Sequence, residues 1–399
     1  MLKKFKGSER IAIGIILMQL ITMGAVGISP AMAQIAAAFP DKTTEEIQLL
    51  MSLPSFATIF SSLITPVFAA KFGKKNSVVL GIVIFLATGL IPVFTSQWGI
   101  VVASRIGIGI GCGFVNTLNN ALVFDYFDDV DQQNSLLGWT HIGNDLGYVV
   151  MALAAGYLTL ISWQAVFVVH AIGIIALIVV ITCLPNDKAV GSVKAAETEK
   201  PAGKVHVTGA AVFWFIVILL FEGTLHTFSM NISFLIQDSG AGDSVLAGYA
   251  STMMTVGGFA ISLFYGKIAS LLKRWTFSFG VLIDVIAMLI LYTIGPDNGF
   301  LAIVGGALVG VGMVMVFSSC ISFLMRSVNA ATAVVGSTMF MIGINGGQFL
   351  NTYWASFLTN TFADGSFAGK FIASGIVLAI VMVIGAFTAE KVGCNCPED

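Results

Sequence analysis

The chain has 399 residues, of which 57% are hydrophobic and only 10% are charged, and its formal net charge is −2. Soluble domains carry roughly 25% charged residues, so a chain this apolar cannot surround its core with a polar surface. The composition excludes an ordinary soluble protein and predicts one whose solvent is mostly lipid. Because binding to nucleic-acid phosphates needs a clustered basic surface, we expect no nucleic-acid partner.

Twelve apolar stretches are long enough to be transmembrane helices, which need about 20 residues to cross the hydrocarbon core. Polar or Gly/Pro-containing breaks, such as residues 71–75 and 295–298, separate them. The predicted spans are 11–38, 46–70, 76–95, 97–125, 135–158, 163–184, 209–236, 246–272, 276–295, 299–325, 332–358 and 369–389. The sequence therefore predicts an all-α membrane protein with twelve transmembrane helices.

One hydrophilic stretch, residues 185–208, separates six predicted spans from the next six. When the halves are offset by 200 residues, residues 142–147 (IGNDLG) align with residues 342–347 (IGINGG). Such similarity indicates an internal duplication. We therefore predict an N-terminal six-helix bundle at 1–184, a cytoplasmic linker, and a C-terminal six-helix bundle with a short cytoplasmic tail at 209–399.

The distribution of basic residues predicts the membrane topology. With a cytoplasmic amino terminus, fifteen of the 19 Lys and Arg fall in inner loops or tails, whereas only Lys42 and Lys370 fall outside. By the positive-inside rule, this predicts a multi-pass protein of the cell membrane with both termini cytoplasmic. The alternative is a signal peptide cleaved after residues 31–33 (AMA), but eleven remaining spans would break the six-plus-six arrangement.

The five cysteines predict neither a disulfide framework nor a metal centre. Cys112, Cys183 and Cys320 lie inside apolar runs, where a buried thiol is the ordinary state. Cys394 and Cys396 form a C-x-C pair that could bind a metal, but further His or Cys ligands are missing nearby. No phosphate-binding G-x-x-x-x-G-K-[ST] loop occurs, so ATP drive is disfavoured and we expect no cofactor and no metal.

Three local patterns carry a family resemblance. Residues 66–75 (PVFAAKFGKK) keep the basic, glycine-centred end of the loop motif G-x-L-A-D-R-x-G-R-K, and residues 105–113 (RIGIGIGCG) are similar to R-x-x-x-G-x-G. Residues 138–147 (GWTHIGNDLG) are similar to the antiporter motif G-x-x-x-x-G-P-x-x-G, with Asn144 in place of the proline. By these patterns the chain resembles the major facilitator superfamily over essentially its whole length, which implies the major facilitator fold.

The resemblance implies a gating loop after the second span, formed by Gly73, Lys74 and Lys75. The acidic position of the motif is occupied by Ala70 here and by Ser270 in the second half, so the family's charge relay is incomplete. Three aspartates of the next inner loop are the expected partners of Lys71, Lys74 and Lys75, namely Asp128, Asp129 and Asp131. The alternative is that these charges only set the topology and contact water.

A few ionisable groups lie deep within predicted spans and are functional candidates for that reason. They are Arg105, Asp145, Glu222, Asp284, His141, His170 and His226. Arg105 lies about 12 Å from the outer end of its span, and Asp145 about 15 Å from the inner end of the next. These similar depths predict an Arg105–Asp145 ion pair near the membrane midplane, which either takes part in coupling or only clamps two helices.

Glu222 is the residue that we expect to carry the proton. His226 follows it by one helical turn on the same face, and a carboxyl group removed from water can exchange a proton near neutral pH. The alternative is a static hydrogen-bonded acid. The predicted proton-coupling set is Glu222, Asp145, Arg105, His226 and His141. Asp284 and His170 lie in spans that the resemblance places at the periphery, which favours helix-contact roles.

Polar uncharged residues in three spans are the predicted substrate-binding positions, because the resemblance implies that these spans face a central cavity. They are Gln19, Asn116, Asn120, Asn345, Gln348 and Asn351. The last three recur every third residue and therefore share one helical face. The alternative is that these side chains serve helix packing alone.

Together these features predict a secondary active transporter, coupled to protons, that rocks two six-helix halves about a midplane site. Its expected partners are a small organic or amphipathic solute, protons and the lipid bilayer, and we expect a monomer. Efflux is favoured over proton-coupled uptake of a small organic anion. A non-transporting scaffold or sensor stays open, whereas an intramembrane enzyme is disfavoured because the His-acid pairs lack a third ligand.

Overall fold

A computed structural model describes residues 8–127, 129–186, 208–328 and 333–388. The regular structure in these ranges is helical, and none of the described residues forms a β-strand. The chain divides into two compact units, residues 1–194 and 195–399. The predicted all-α class is therefore confirmed.

Several predictions fall outside the described residues. They concern most of the linker at 185–208, Asp128, the lysines of both tails, and the metal alternative at Cys394 and Cys396. The predicted domain boundaries therefore stay a prediction.

The first unit contains seven described α-helices. They are α1 (Glu9–Met18), α2 (Met32–Ala38), α3 (Thr44–Phe72), α4 (Lys74–Leu90), α5 (Trp98–Tyr126), α6 (Val130–Leu158) and α7 (Ile172–Cys183). Fully buried apolar side chains from α1, α4 and α5, such as Ile15, Phe85 and Val115, form its core.

The first predicted span is interrupted in its middle. Between α1 and α2 the chain forms only short 3₁₀ turns at Gln19–Ile21 and Ser29–Ala31. Pro30 lacks an N–H group, and a Cβ at Gly27 would lie only 2.9 Å from Met151 Cβ. The interruption leaves backbone carbonyls of this segment without helical partners, and other groups must bond to them.

The second unit contains eight described α-helices. They are α8 (Gly209–Leu225), α9 (Thr227–Asp238), α10 (Ser244–Ser262), α11 (Tyr265–Leu272), α12 (Thr276–Tyr292), α13 (Phe300–Arg326), α14 (Ala333–Phe362) and α15 (Phe367–Thr388). A single turn residue, His226, separates α8 from α9, so the seventh predicted span has only a local break, across which the backbone stays in the helical region (φ −61°, ψ −11°). The indole of Trp214 stacks on the Phe323 ring in the core, with ring centroids 4.5 Å apart.

Each predicted span has a helical counterpart. Nine helical stretches among the described residues are long and apolar enough to cross a membrane. The other three predicted spans correspond to α1 with α2, to α6, and to α14. The eighth span comprises α10 and α11, and the predicted ends at residues 332 and 389 lie outside the described ranges.

The internal repeat is visible in helix contacts. Added Cβ atoms at Gly143 and Gly147 of α6 would overlap backbone carbonyl oxygens of the first span. Two hundred residues later, a Cβ at Gly347 of α14 would lie 2.8 Å from the backbone nitrogen of Gly223 on α8. Glycines at aligned positions therefore allow α6 and α14 to pack closely on the first span of their own unit.

This packing predicts a stability difference between two glycines of α6. Gly147→Ala places a methyl group against the Leu20 carbonyl, whereas a Cβ at Gly138 meets no atom within 4 Å. We expect Gly147→Ala to destabilise the protein by about 1–3 kcal/mol through overpacking. Gly138→Ala should be neutral or stabilise by up to about 1 kcal/mol. Thermal unfolding of both variants in one detergent checks this; equal melting temperatures would contradict the packing.

Candidate functional site

Arg105 of α5 is fully buried in the first unit and holds the interrupted first span. Its Nη2 donates to the Ala25 carbonyl at 2.9 Å and to the Gly24 carbonyl at 3.2 Å. Its Nε donates to the Leu50 carbonyl of α3 at 2.7 Å. One guanidinium therefore bonds the carbonyls freed by the break and ties them to α3 and α5.

His170 supplies the remaining described contact of this guanidinium. Its Nε2 lies 3.1 Å from Arg105 Nη1, and its Nδ1 lies 2.9 Å from the Phe167 carbonyl. Because arginine can only donate, Nε2 accepts, and Nδ1 carries the proton that it donates to Phe167. His170 is thus held as the neutral Nδ1–H tautomer. The sequence assigned His170 only a helix contact, since its arginine partner lies 65 residues earlier.

The predicted Arg105–Asp145 ion pair is wrong. Among the described residues, no carboxylate lies within 4.0 Å of the Arg105 guanidinium. Helical rise gives similar depths for the two residues but does not fix the direction of their side chains, and Arg105 points toward the first span and α3. Asp145 is half-buried on α6, and His141, one turn earlier, is exposed.

The predicted gating loop joins α3 to α4 through Gly73, whose φ of 86° suits glycine. Lys74 pairs with Asp125 near the end of α5; of the predicted aspartates, Asp129 and Asp131 form no ion pair with it, and Asp128 lies outside the described residues. Asp129 Oδ1 accepts the N–H groups of Asp131 and Gln132, which explains its absence from the loop's ion pairs.

Lys75 is buried and lies at the end of α7. Its Nζ donates to the carbonyls of Leu184 at 2.6 Å and Ile181 at 2.9 Å, and to Asn186 Oδ1 at 3.0 Å. A cation at a helix carboxyl end stabilises the last carbonyl groups of that helix. Lys75 therefore fastens α4 to α7, whereas Lys71 only covers the neighbouring Phe72 ring.

This arrangement predicts different effects for two neighbouring lysines. Lys75→Met keeps the aliphatic chain but leaves buried carbonyls without their donor, so we expect a loss of about 1–3 kcal/mol of stability. Lys71→Met removes a charge of the same loop at an exposed position and should change stability by less than about 0.5 kcal/mol. Thermal unfolding measures both; an unchanged Lys75→Met variant would contradict the assigned contacts.

Glu222 of α8 lies in a polar cluster beside the break between α8 and α9. The residue is 3% exposed. Its Oε1 accepts a hydrogen bond from Gln348 Nε2 of α14 at 2.9 Å and lies 3.6 Å from His226 Nδ1. The structure therefore brings together Glu222, His226 and Gln348, all of which the sequence predicted as site residues.

Asn351 and Trp354 extend this cluster along α14. Asn351 is fully buried, and its Nδ2 donates to the Gly223 carbonyl at 2.7 Å and to Thr227 Oγ1 at 3.0 Å. Trp354 Nε1 donates to Thr224 Oγ1 at 3.0 Å. These bonds connect α14 to both sides of the break beside Glu222. Thr224, Thr227 and Trp354 were not predicted, because no sequence pattern distinguishes them from packing residues.

The other predicted substrate-binding residues do not join the Glu222 cluster. Asn345 Nδ2 bonds to the Met341 carbonyl of its own helix at 3.0 Å. In the first unit, Gln19 is buried, Asn116 is half-buried, and Asn120 is exposed and lies beside Asn119. Their binding role stays a prediction.

An apolar cavity of about 450 Å³ lies between α8 and α14. Apolar side chains line it, namely Leu219, Leu220, Leu350, Trp354 and Phe357. Gly223, which immediately follows Glu222, also lines it. The cavity therefore shares Gly223 and Trp354 with the polar cluster, whereas Glu222 does not line it.

Among the described residues, no group of three or more His, Cys, Asp or Glu side chains could hold a metal ion. Cys112, Cys183 and Cys320 are free thiols.

Two helical units with apolar spans and buried polar clusters define a multi-pass α-helical membrane protein. The family model of the Major Facilitator Superfamily matches residues 11–350. The chain belongs to the major facilitator superfamily, so it is a transporter and not an enzyme.

Solved structures of transporters share the fold. The nucleoside transporter NupG is 13% identical with a TM-score of 0.70, covering 96% of this chain and 98% of that chain. The peptide transporter POT in complex with sulfate is 10% identical with a TM-score of 0.75, covering 96% and 95%. No curated protein matches the chain. At these identities the likeness establishes the fold alone.

Proposed function

We propose that the protein is a secondary active transporter that couples solute movement to protons by alternating access, with Glu222 as the proton carrier. The observation that carries this proposal is the position of Glu222 beside the helix break, where it is buried and bonded to the neutral donor Gln348. Intramembrane acids mark proton pathways in transporters, and His226 provides a second titratable group 3.6 Å away.

We further propose that the solute is amphipathic and that transport is efflux by proton exchange. The apolar cavity supports this, since it offers apolar walls and shares Gly223 and Trp354 with the polar cluster that contains Glu222. Two features favour uptake of a small organic anion, namely Arg105 near the midplane and Asn144 in place of the antiporter proline. The first no longer supports that alternative, because Arg105 is fully buried and bonds to three carbonyls and His170.

The proposed setting is a monomer in the cell membrane with both termini cytoplasmic. The two bundles would extend over residues 1–184 and 209–399, joined by a cytoplasmic linker at 185–208. Lysine and arginine asymmetry among the loops supports this orientation. Asp145, His141, Gln19 of the interrupted first span and the polar residues of α5 remain proposed contributors to coupling and binding.

Transport into proteoliposomes tests the proposal. Radiolabelled tetraphenylphosphonium serves as the amphipathic cation and benzoate as the organic anion, with a lumen one pH unit more acidic than the outside. Proton exchange should accumulate tetraphenylphosphonium above the level in protein-free liposomes, and a protonophore should abolish the difference. With the gradient reversed, so that the outside is one pH unit more acidic than the lumen, benzoate accumulation above the level in protein-free liposomes, without cation exchange in the first assay, would contradict efflux. Failure of both, with no counterflow over a broad solute panel, would indicate a scaffold or sensor.

A further inference from the structure

Asp284 is a buried acid that the proposed proton site does not use. It lies in the middle of α12 and is 0% exposed. Among the described residues, neither of its carboxyl oxygens has a hydrogen-bond partner. Gly312 of α13 lies directly against it, so that a Cβ there would overlap the carboxyl group. A carboxylate in this site would lose its hydration without compensation.

The charged residues of the adjacent helices lie far from Asp284 along the helix axes. On α13, the thiol Cys320 and the cation Arg326 follow Gly312 by eight and fourteen residues, about 12 and 21 Å of helical rise. Four groups precede α12 on α11 and the turn after it: Tyr265, Lys267, Lys273 and Arg274. Arg274 is nearest in sequence, ten residues before Asp284, or about 15 Å of helical rise.

Lys370 is the charged residue of α15, the third helix beside Asp284. α15 runs antiparallel to α12, because Gly375 lies beside Met288 and the Met382 carbonyl accepts from Ser278 Oγ. Met288, which lies level with Gly375, follows Asp284 by four residues on α12. Lys370 precedes Gly375 by five residues on α15 and therefore lies on the other side of this level from Asp284. The two offsets add, so Asp284 and Lys370 are separated by about 13 Å along the axis. None of these neighbouring cations therefore lies at the level of the Asp284 carboxyl group.

Glu222 is the other buried carboxyl group among the described residues, and its helix α8 packs against α13 and α15, the two helices that also pack against α12. A negative charge on one of two buried acids increases the cost of a charge on the other. The second unit can thus hold one buried negative charge far more easily than two.

We propose that Asp284 is a second proton-binding residue, coupled to Glu222, that keeps its proton when Glu222 releases one. This inference rests on the proposed function for its place in the transport cycle. The proton on an Asp284 carboxyl oxygen leaves that group neutral, and release from Glu222 then creates a single buried anion. The pair therefore releases a single proton, the one bound to Glu222, because Asp284 keeps its own.

Infrared spectroscopy of the full chain in liposomes tests this, without solute or gradient. Carbon-13 labelling of aspartate separates the carboxylic C=O band of protonated aspartate from that of glutamate. We expect a protonated aspartate band that persists over the pH range in which the glutamate band disappears. Asp284→Asn should remove that band and leave the pH midpoint of the glutamate band near its wild-type value, because the replaced group is neutral in this range. Glu222→Gln should remove the glutamate band and lower the pH at which the aspartate band is lost, because the repelling negative charge is gone.

Two controls keep the result decisive. Asp145→Asn and the exposed Asp238→Asn should leave the aspartate band in place. If Asp284→Asn does not fold, labelled Asp145→Asn protein still shows whether a buried protonated aspartate other than Asp145 exists. A missing aspartate band, or an aspartate band that is lost at the same pH in Glu222→Gln as in the wild type, would overturn the proposal. Neither infrared spectrum depends on transport. A failure of the proposed function in the transport assay is therefore distinguishable from a failure of the Asp284 proposal.

Discussion

Glu222→Gln should abolish accumulation driven by a pH gradient while leaving solute exchange intact. One pH unit is worth about 1.4 kcal/mol per proton, a tenfold concentration ratio for one proton per solute. The wild type should approach this ratio for tetraphenylphosphonium, whereas the variant should stay near a ratio of one. Glutamine keeps the size and one oxygen acceptor for Gln348, so the contact at 2.9 Å has a substitute.

Asp238→Asn is the matched control, since it removes an exposed carboxyl group at the end of α9, one helix beyond Glu222. It should accumulate the probe as the wild type does. Counterflow, in which an internal pool of unlabelled solute drives entry of label, should proceed in all three proteins. Gradient-driven accumulation by Glu222→Gln at the wild-type level would remove Glu222 as the proton carrier.

Arg105→Ala should cause the largest loss of stability in the first unit. The change leaves the carbonyls of Gly24, Ala25 and Leu50 without their guanidinium donor, in a site with no exposure. A buried acceptor left without its partner costs about 1–3 kcal/mol, so for three carbonyls we expect a loss of about 3–5 kcal/mol in total. For a unit of this size, that corresponds to a decrease of roughly 6–20 °C in melting temperature.

Arg105→Lys should restore little of this stability, because an ammonium group cannot reproduce the planar arrangement of donors. Arg10→Ala is the control, since Arg10 is an exposed arginine of α1, and its melting temperature should stay at the wild-type value. Thermal unfolding of the purified variants gives the comparison. A melting temperature of Arg105→Ala equal to that of Arg10→Ala would show that the guanidinium does not hold the first span.

The sequence revealed the helices because the bilayer requires long apolar stretches, and it revealed the shared face of Gln348 and Asn351 because three-residue spacing acts within one helix. Contacts between helices were harder to predict. Arg105 binds backbone carbonyls, which no side-chain pattern marks. Asp145 lies at a depth similar to that of Arg105, but its side chain does not point toward Arg105. Helical rise gives the depth of a residue and not its rotation around the helix axis.

The breaks in the first and seventh spans differ in whether the local sequence indicates them. The break in the first span has a local cause in Gly24, Gly27 and Pro30. The apolar residues 11–38 nevertheless predicted one continuous span. The break at His226 has no proline beside it, and tertiary bonds from Asn351 and Trp354 flank it instead. Such bonds link residues about 130 positions apart, beyond the reach of any local pattern.

The most direct test of proton coupling through Glu222 is the lumenal pH of proteoliposomes during solute movement, with no pH gradient imposed. A pH-sensitive dye inside the liposomes reports protons while an outward tetraphenylphosphonium gradient drives exchange, with the membrane potential clamped by potassium and valinomycin. We expect the lumen of wild-type liposomes to acidify as the cation leaves and the lumen of Glu222→Gln liposomes to keep its pH. Cation exit at the wild-type rate without any change in lumenal pH would contradict it.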